Sequence, residues 1–225
     1  MTSLLFTPPA LGTVLSLTGL PGGSNKIHDR SPYGNTATIV GATWVRLPSG
    51  LWCLNFDGSD DVVACGNGTG ISGLTIFTLM AWVKLDTIDT EYGIFGKWTG
   101  SIATCAFLLE ISSSNHLKLF TSDGSSSAAL EGAYTFGTTD FVHCVGVYDG
   151  ANSILYINGA EDAAPAAKLA PITVAQGLAI GAYKEPASGR IPLAGDIALP
   201  KIYNYALNAF DIQKHFEKEK HLFGG

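Results

Sequence analysis

Short runs of apolar residues, many alternating with polar ones, are strung along this chain between turn-forming clusters, and the clearest lie between Phe141 and Glu161. Phe141–Tyr148 and Ser153–Ile157 read as strands; Asp149-Gly150-Ala151-Asn152 separates them and Asn158-Gly159 follows the second. Asn-Gly supplies the two positive-φ residues of a type I′ turn, whose twist matches that of the strands it joins. Such a chain builds an antiparallel sheet. Further strands are predicted near Thr13–Leu17, Thr36–Val40, Leu51–Phe56, Val62–Ala64, Leu74–Leu85, Tyr92–Lys97, Ala103–Ile111, His116–Thr121, Gly177–Ala182 and Ile197–Tyr203. Turn clusters divide them, among them Pro21-Gly22-Gly23, Asp57-Gly58, Gly66–Gly70, Ser112–Asn115 and Asp123-Gly124, the spacing of an all-β antiparallel β-sandwich. Leu74–Leu85 is apolar on both faces, which suits a central strand packed between two layers.

Helical signal is confined to the C-terminus. Asn208 can cap, Asp211 stands three residues on, and Ile212 and Phe216 share one face. The mixed charge of Asp211, Lys214 and Glu217–Lys220 marks a short solvated helix pinned by two apolar residues.

Composition narrows the function. The chain has 225 residues, enough to bury a core without covalent staples and a size at which sandwiches fold as single domains. Charged residues are 14%, against about 25% in an ordinary soluble domain, so Gly, Ser, Thr and Asn must carry the surface. A net charge of −6 and the lack of a Lys/Arg cluster outside the mixed-charge tail exclude nucleic acid as the partner. Thr2–Asn25 is uncharged but lacks a positive n-region, and Pro8-Pro9 and Gly12 break it; Val62–Val83 is interrupted by Gly66, Gly68, Gly70 and Gly73. Neither reads as a signal peptide or a membrane span. Cys53, Cys65, Cys105 and Cys144 have no metal-site spacing and read as buried thiols, a Cys53–Cys65 bridge being compatible but not required.

Several segments, in order, resemble the concanavalin A-like lectin/glucanase superfamily and within it the laminin-G-like (LamG) domains. They are His28–Asn35 (HDRSPYGN), Leu54–Val63 (LNFDGSDDVV), Phe77–Leu85 (FTLMAWVKL), Phe141–Gly150 (FVHCVGVYDG), Ile154–Glu161 (ILYINGAE) and Leu193–Ile212. The resemblance covers nearly all of the chain, so residues 1–225 are expected to be one LamG-like jelly roll with its core at about 14–216. It implies two curved antiparallel sheets, ligand binding through edge loops or the concave face, and a structural calcium ion. Asp29 and Asn35 match the segment that often supplies oxygen ligands. The chain departs from the family's G-x-I-D-E-V-x-I-Y run, placing Ala198 and Leu199 where an Asp-Glu pair is usual and Pro200 in place of Val. Calcium takes six to eight oxygens, so two carboxylates fewer weighs against the ion; the alternative is an Asx-turn at Asp29.

Catalytic constellations are sparse. Glycoside hydrolysis needs two carboxyl groups roughly 5–9 Å apart, yet Glu110 stands alone in its strand, and Asp57, Asp60 and Asp61 belong to a turn of FDG form. The histidines at 28, 116, 143, 215 and 221 have no metal-site spacing, and His143 is expected to hydrogen-bond within the sandwich. No G-x-S-x-G elbow or phosphate loop is present. Glycans stack on exposed aromatic rings. Trp82 reads as core, Trp44 and Trp52 lie nearer strand ends, and Trp98 and Tyr183, flanking Thr99-Gly100 and the Pro186–Arg190 loop, are the candidate ligand-binding residues. Asn67-Gly68-Thr69 is a glycosylation sequon, meaningful only on a secretory route. The expectation is a non-catalytic structural or recognition module of an extracellular or virion surface. It would bind glycan or protein and would be a homo-oligomer or a subunit of a larger assembly. The rivals are an independent monomeric lectin and, less favoured, a glycoside hydrolase.

Overall fold

The computed structural model describes residues 12–18, 21, 24–98, 100–183 and 191–224. Gly22, Gly23, Thr99 and the Pro186–Arg190 loop lie outside the described residues. In chain order the strands are β1 (Thr13–Ser16), β2 (Lys26–Ile27), β3 (Ala37–Val40), β4 (Thr43–Arg46), β5 (Trp52–Asp57), β6 (Val62–Gly66), β7 (Phe77–Leu85) and β8 (Tyr92–Lys97). They continue as β9 (Phe107–Ile111), β10 (Leu117–Ser122), β11 (Ser127–Glu131), β12 (Val142–Tyr148), β13 (Asn152–Ile157), β14 (Ala160–Ala167), β15 (Leu178–Ile180) and β16 (Ala194–Tyr203). One helix, α1 (Ala209–Glu219), follows, then a 3-10 turn at Lys220–Leu222.

Among the described residues the strands form two antiparallel sheets of eight strands each. Sheet A runs β14-β13-β12-β7-β16-β5-β4 with β1 paired to β16; sheet B runs β11-β10-β9-β8-β15-β6-β3-β2. The β13–β14 hairpin has the expected turn, with Asn158 at φ 50° and Gly159 at φ 81°. β7 lies at the middle of sheet A between β12 and β16, and eight of its nine residues are buried, as its two-sided apolar run predicts. The interior between the sheets holds Phe56, Phe77, Phe95 and Phe107, none exposed. Phe77 on β7 and Phe107 on β9 meet across the layers at 4.7 Å between ring centroids, each ring's burial worth about 1.5–3 kcal/mol.

The structure adds β2, β4, β11 and β14 to the predicted strands. It also replaces the start of the predicted Ala103–Ile111 strand with a 3-10 turn at Ile102–Thr104. All four thiols are free and buried, and Cys53 and Cys65 are not bridged. Burial pushes the Cys53 and Cys105 thiols up to about 12, so they stay protonated and inert.

β16 carries an irregularity that organises sheet A. Its first part, Ala194–Ile197, pairs with β5, whereas Lys201–Tyr203 pairs with β1, and β7 lies on its other side across both parts. Between them Leu199 adopts φ 49° ahead of Pro200, and the ladder to β7 is interrupted. This is a β-bulge, stapled by the Leu17 amide donating to the Pro200 carbonyl at 3.1 Å. It puts Leu199 in an apolar cluster with Leu51, Cys53, Trp82 and Ala198. A carboxylate pair at Ala198 and Leu199 would be buried in that apolar cluster.

The helix is the short, largely solvated one expected and departs from it at one residue. Asn208 Oδ1 accepts from the Asp211 amide at 2.9 Å, the predicted cap, and Ile212 is buried. Glu219, which looks in sequence like one more solvent-facing charge, is buried against the outer face of sheet A.

Candidate functional site

The two outer faces of the sandwich carry different chemistry. On sheet B, pairing aligns Gly93 (β8), Glu110 (β9), Lys118 (β10) and Glu131 (β11) in one row, and Gly96, Leu108, Phe120 and Ala129 in the next. Opposed residues point the same way, so both rows face outward, opposite to Phe95, Phe107 and Leu109 in the core. The row through Gly96 continues to Ala179 on β15 and Ala64 on β6. The centre of the face is therefore a trough of small residues.

The segment Gly181–Tyr183 crosses that trough. A Cβ on Gly96 would lie 2.2 Å from the Tyr183 carbonyl oxygen, and one on Gly93 would lie 2.7 Å from the Tyr183 nitrogen. Only glycine allows the backbone so close. The crossing seats Tyr183 beside Trp98, edge to face at 6.4 Å, and Trp98 meets Phe120 edge to face at 5.7 Å. Trp98, Phe120 and Tyr183 are half-buried, and the Trp98 indole N–H is buried with no hydrogen-bond partner among the described residues. The two aromatic residues singled out in the sequence, far apart along the chain, thus share one patch, with Phe120 between their strands' neighbours as a third member that the sequence reading missed. Lys118 Nζ lies 4.4 Å from the Phe120 ring centroid, a cation–π contact.

Glu110 lies under the same face, 2% exposed, its carboxylate 3.5 Å from Lys118 Nζ. Burial pushes its pKa up to about 7; Lys118 opposes the rise, and Glu91 and Glu131 add to it. Lys97 points the other way, into the end of the core, where Nζ donates to the carbonyls of Ile71 (3.0 Å), Val174 (3.3 Å) and Ser72 (3.4 Å). Burial lowers its pKa to about 8. It clamps two loops and does not reach the aromatic patch. Asn67 of the sequon donates to Val174 there too, at 3.3 Å.

The outer face of sheet A is closed by the C-terminal segment. Trp82 stacks on Phe223 at 4.2 Å and on Phe216 at 5.6 Å, and its indole N–H donates to Glu219 Oε2 at 2.9 Å. Lys201 pairs with Glu219, and His215 Nδ1 lies 3.7 Å from it. Burial alone would raise the Glu219 pKa, but Lys201, His215 and Trp82 hold it far below the usual carboxylate range. Trp82 is buried, as expected, although in this second layer rather than between the sheets. His143 corrects its expectation: its ring, fully buried 5.0 Å from Trp82, makes no hydrogen bond among the described residues. Its backbone does bond, N–H to Asn158 Oδ1 at 3.0 Å. Burial lowers the His143 pKa to about 3, keeping the imidazole neutral.

The residues implied as calcium ligands do not fit a cation. Asp29 accepts four hydrogen bonds, from the amides of Ser16, Ser31 and Asn35 at 2.8 Å and from Ser31 Oγ at 2.5 Å. That uses the acceptor capacity of a carboxylate and surrounds it with donor hydrogens. The Asn35 amide donates to the Val14 and Thr69 carbonyls at 3.0 and 2.9 Å. Asp29 forms the Asx-turn that was the alternative. Asp57, Asp60 and Asp61 bring oxygens within 4.8 Å of one another, but Asp57 accepts from the Ser59 amide and Asp61 from the Asp57 amide, each at 2.8 Å, as turn formation requires. Trp44 packs against the main core and lines a small apolar cavity with Trp52, Phe56 and Ile197.

A model of the family Laminin_G_3, of the concanavalin A-like lectin/glucanases superfamily, matches residues 57–213. The chain belongs to this family. Solved structures similar to this Laminin_G_3 chain include the binding domain of Paraclostridial Mosquitocidal Protein 1 (14% identity, TM-score 0.72, 91% of this chain and 52% of that one). The Trypanosoma rangeli sialidase solved with sialic acid is similar at 16% identity and TM-score 0.71, over 96% of this chain and 34% of that one. The botulinum neurotoxin serotype G binding domain follows at 15% and 0.71, over 91% and 50%. The chain spans about half or a third of these proteins, and at such identity the likeness is one of fold. No curated protein matches it by sequence. No helix among the described residues is long and apolar enough to cross a membrane.

Proposed function

We propose that this chain is a non-catalytic recognition module that binds a glycan or a protein surface on the outer face of sheet B, as part of an extracellular or virion surface. The observation that carries this reading is the convergence of Trp98, Phe120 and Tyr183 on one half-buried patch beside the trough over Gly93 and Gly96. Half-buried aromatic rings gathered at one place suit a sugar ring or a peptide side chain, which offers C–H surface to stack on them. The binding-domain names of two structural relatives support the reading. Glu110 enters as a buried carboxyl paired with Lys118, supporting the face rather than cleaving a bond.

A glycan array, followed by titration of its best oligosaccharide, tests this. Trp98→Ala is expected to weaken binding at least tenfold while Trp52→Phe leaves it unchanged. An array without hits, or hits indifferent to Trp98→Ala, removes the glycan reading. Polysaccharide turnover abolished by Glu110→Gln would replace the module with a hydrolase.

A further inference from the structure

Every open sheet ends in strands whose outer N–H and C=O groups lack partners, and proteins guard such edges. Among the described residues sheet A ends in β4 and β14, and sheet B in β2 and β11; β1, paired only with β16, has its other edge taken by Asp29, Arg30 and Asn35, which bond the Ser16 N–H, the Ser16 carbonyl and the Val14 carbonyl. β2 is two residues long and carries Lys26. β4 carries Arg46. β14 carries Glu161, Asp162 and Pro165, and its register against β13 is irregular. Each is a known deterrent to strand addition. β11 is the least guarded: Ser127–Glu131 contains no proline, lysine or arginine, its one charge is Glu131 at its end, and its register against β10 is unbroken over five pairs.

β11 also complements itself. Ser127, Ala129 and Glu131 lie on the outer face of sheet B, opposite Ser122, Phe120 and Lys118, and Ala128 and Leu130 lie on the inner face, where Leu130 packs against the core. Antiparallel pairing about a two-fold axis through Ala129 sets Ser127 opposite Glu131 of the second copy, Ala128 opposite Leu130, and Ala129 opposite itself. Every larger side chain then meets a small one, and a hydroxyl donor meets a carboxylate at both ends. A one-residue slip would oppose outward and inward positions. Parallel alignment would place two Glu131 carboxylates side by side. Ser112 Oγ already anchors Glu131 Oε1 at 2.7 Å, holding the carboxylate in place.

We propose that β11 is the docking edge for a second copy of this chain, joining two copies of sheet B into one sheet about a two-fold axis. The proposal does not depend on what the aromatic patch binds.

Sedimentation velocity of the full chain over a wide concentration range tests it. The wild type is expected to form a reversible dimer. Ser127→Glu, at an exposed position, faces like charge with like and is expected to raise the dimer dissociation constant at least tenfold with an unchanged circular dichroism spectrum. Ser127→Lys, which faces opposite charges, is expected to lower it severalfold, and Ser127→Glu with Glu131→Lys to recover the dimer. A monomer at every concentration overturns the proposal. So does a dimer that ignores both Ser127 substitutions, since it would then form through another face.

Discussion

The outer faces of the two sheets start from the same scaffold and end with opposite roles. On sheet A, Trp82, His143 and Lys201 are sealed beneath α1 and the turn after it, and Glu219 bonds both Trp82 and Lys201. On sheet B, no helix covers the face among the described residues, and one short crossing, Gly181–Tyr183, leaves three aromatic rings half-buried. One face is closed, its rings stacked and Glu219 paired, although the buried His143 ring has no hydrogen-bond partner among the described residues. The other retains half-buried rings and, among the described residues, a buried indole N–H without a partner, which costs free energy. Function is to be sought at the open face, where half-buried rings remain within reach of a ligand.

The largest effect should come from breaking the closed face. Glu219→Ala leaves Lys201 and the Trp82 N–H unpaired in the seam, and loss of one member of a buried pair costs about 3–5 kcal/mol, read from the urea midpoint. Gly96→Ala comes next: its methyl would collide with Tyr183, an overpacking penalty of about 1–3 kcal/mol, with ligand binding lost as Tyr183 leaves Trp98.

A subtler contrast lies in pH. Between pH 6.5 and about 3 the folded protein binds fewer protons than the unfolded chain at His143, so stability falls as pH drops through that window. Glu219, held low, adds a loss in the same direction as pH falls below its ordinary range. Glu110 behaves in reverse: between pH 4.5 and about 7 the folded state binds more protons, so its contribution is lost as pH rises. His143→Phe should flatten the acid limb of a melting-temperature profile, and Glu110→Gln should raise the melting temperature at pH 7 and above while changing little below pH 4.5. The smallest stability change is expected for Trp98→Ala, about 1 kcal/mol or less, although it should weaken binding at least tenfold.

The interior was readable from the sequence because two-sided apolar runs such as Phe77–Leu85 and Val142–Tyr148 have one comfortable home, a strand between layers. The edges were not. β14 is mostly alanine with Pro165 within it, and β11 is Ser-Ala-Ala-Leu-Glu; what makes them strands is the neighbour they pair with, not their own propensity. Trp98 and Tyr183 could be suspected as aromatics near loops, but their meeting depends on Gly93 and Gly96, whose spacing in a strand was the available sign of a close backbone approach. Glu219 was concealed by its charged neighbours; only the fold brings Lys201 and Trp82 to it. Asp29 and Asn35 kept the family's pattern while their atoms went to backbone hydrogen bonds, a distinction that residue identity alone does not carry.

The most direct test of the contrast is a two-dimensional proton–nitrogen spectrum of the four indole N–H groups, of Trp44, Trp52, Trp82 and Trp98, during titration with the best oligosaccharide from a glycan array. The expected result is a saturable shift of the Trp98 resonance with Trp82 unmoved. A shift at Trp82, or at Trp44 and Trp52, with Trp98 silent would place the ligand elsewhere and contradict it.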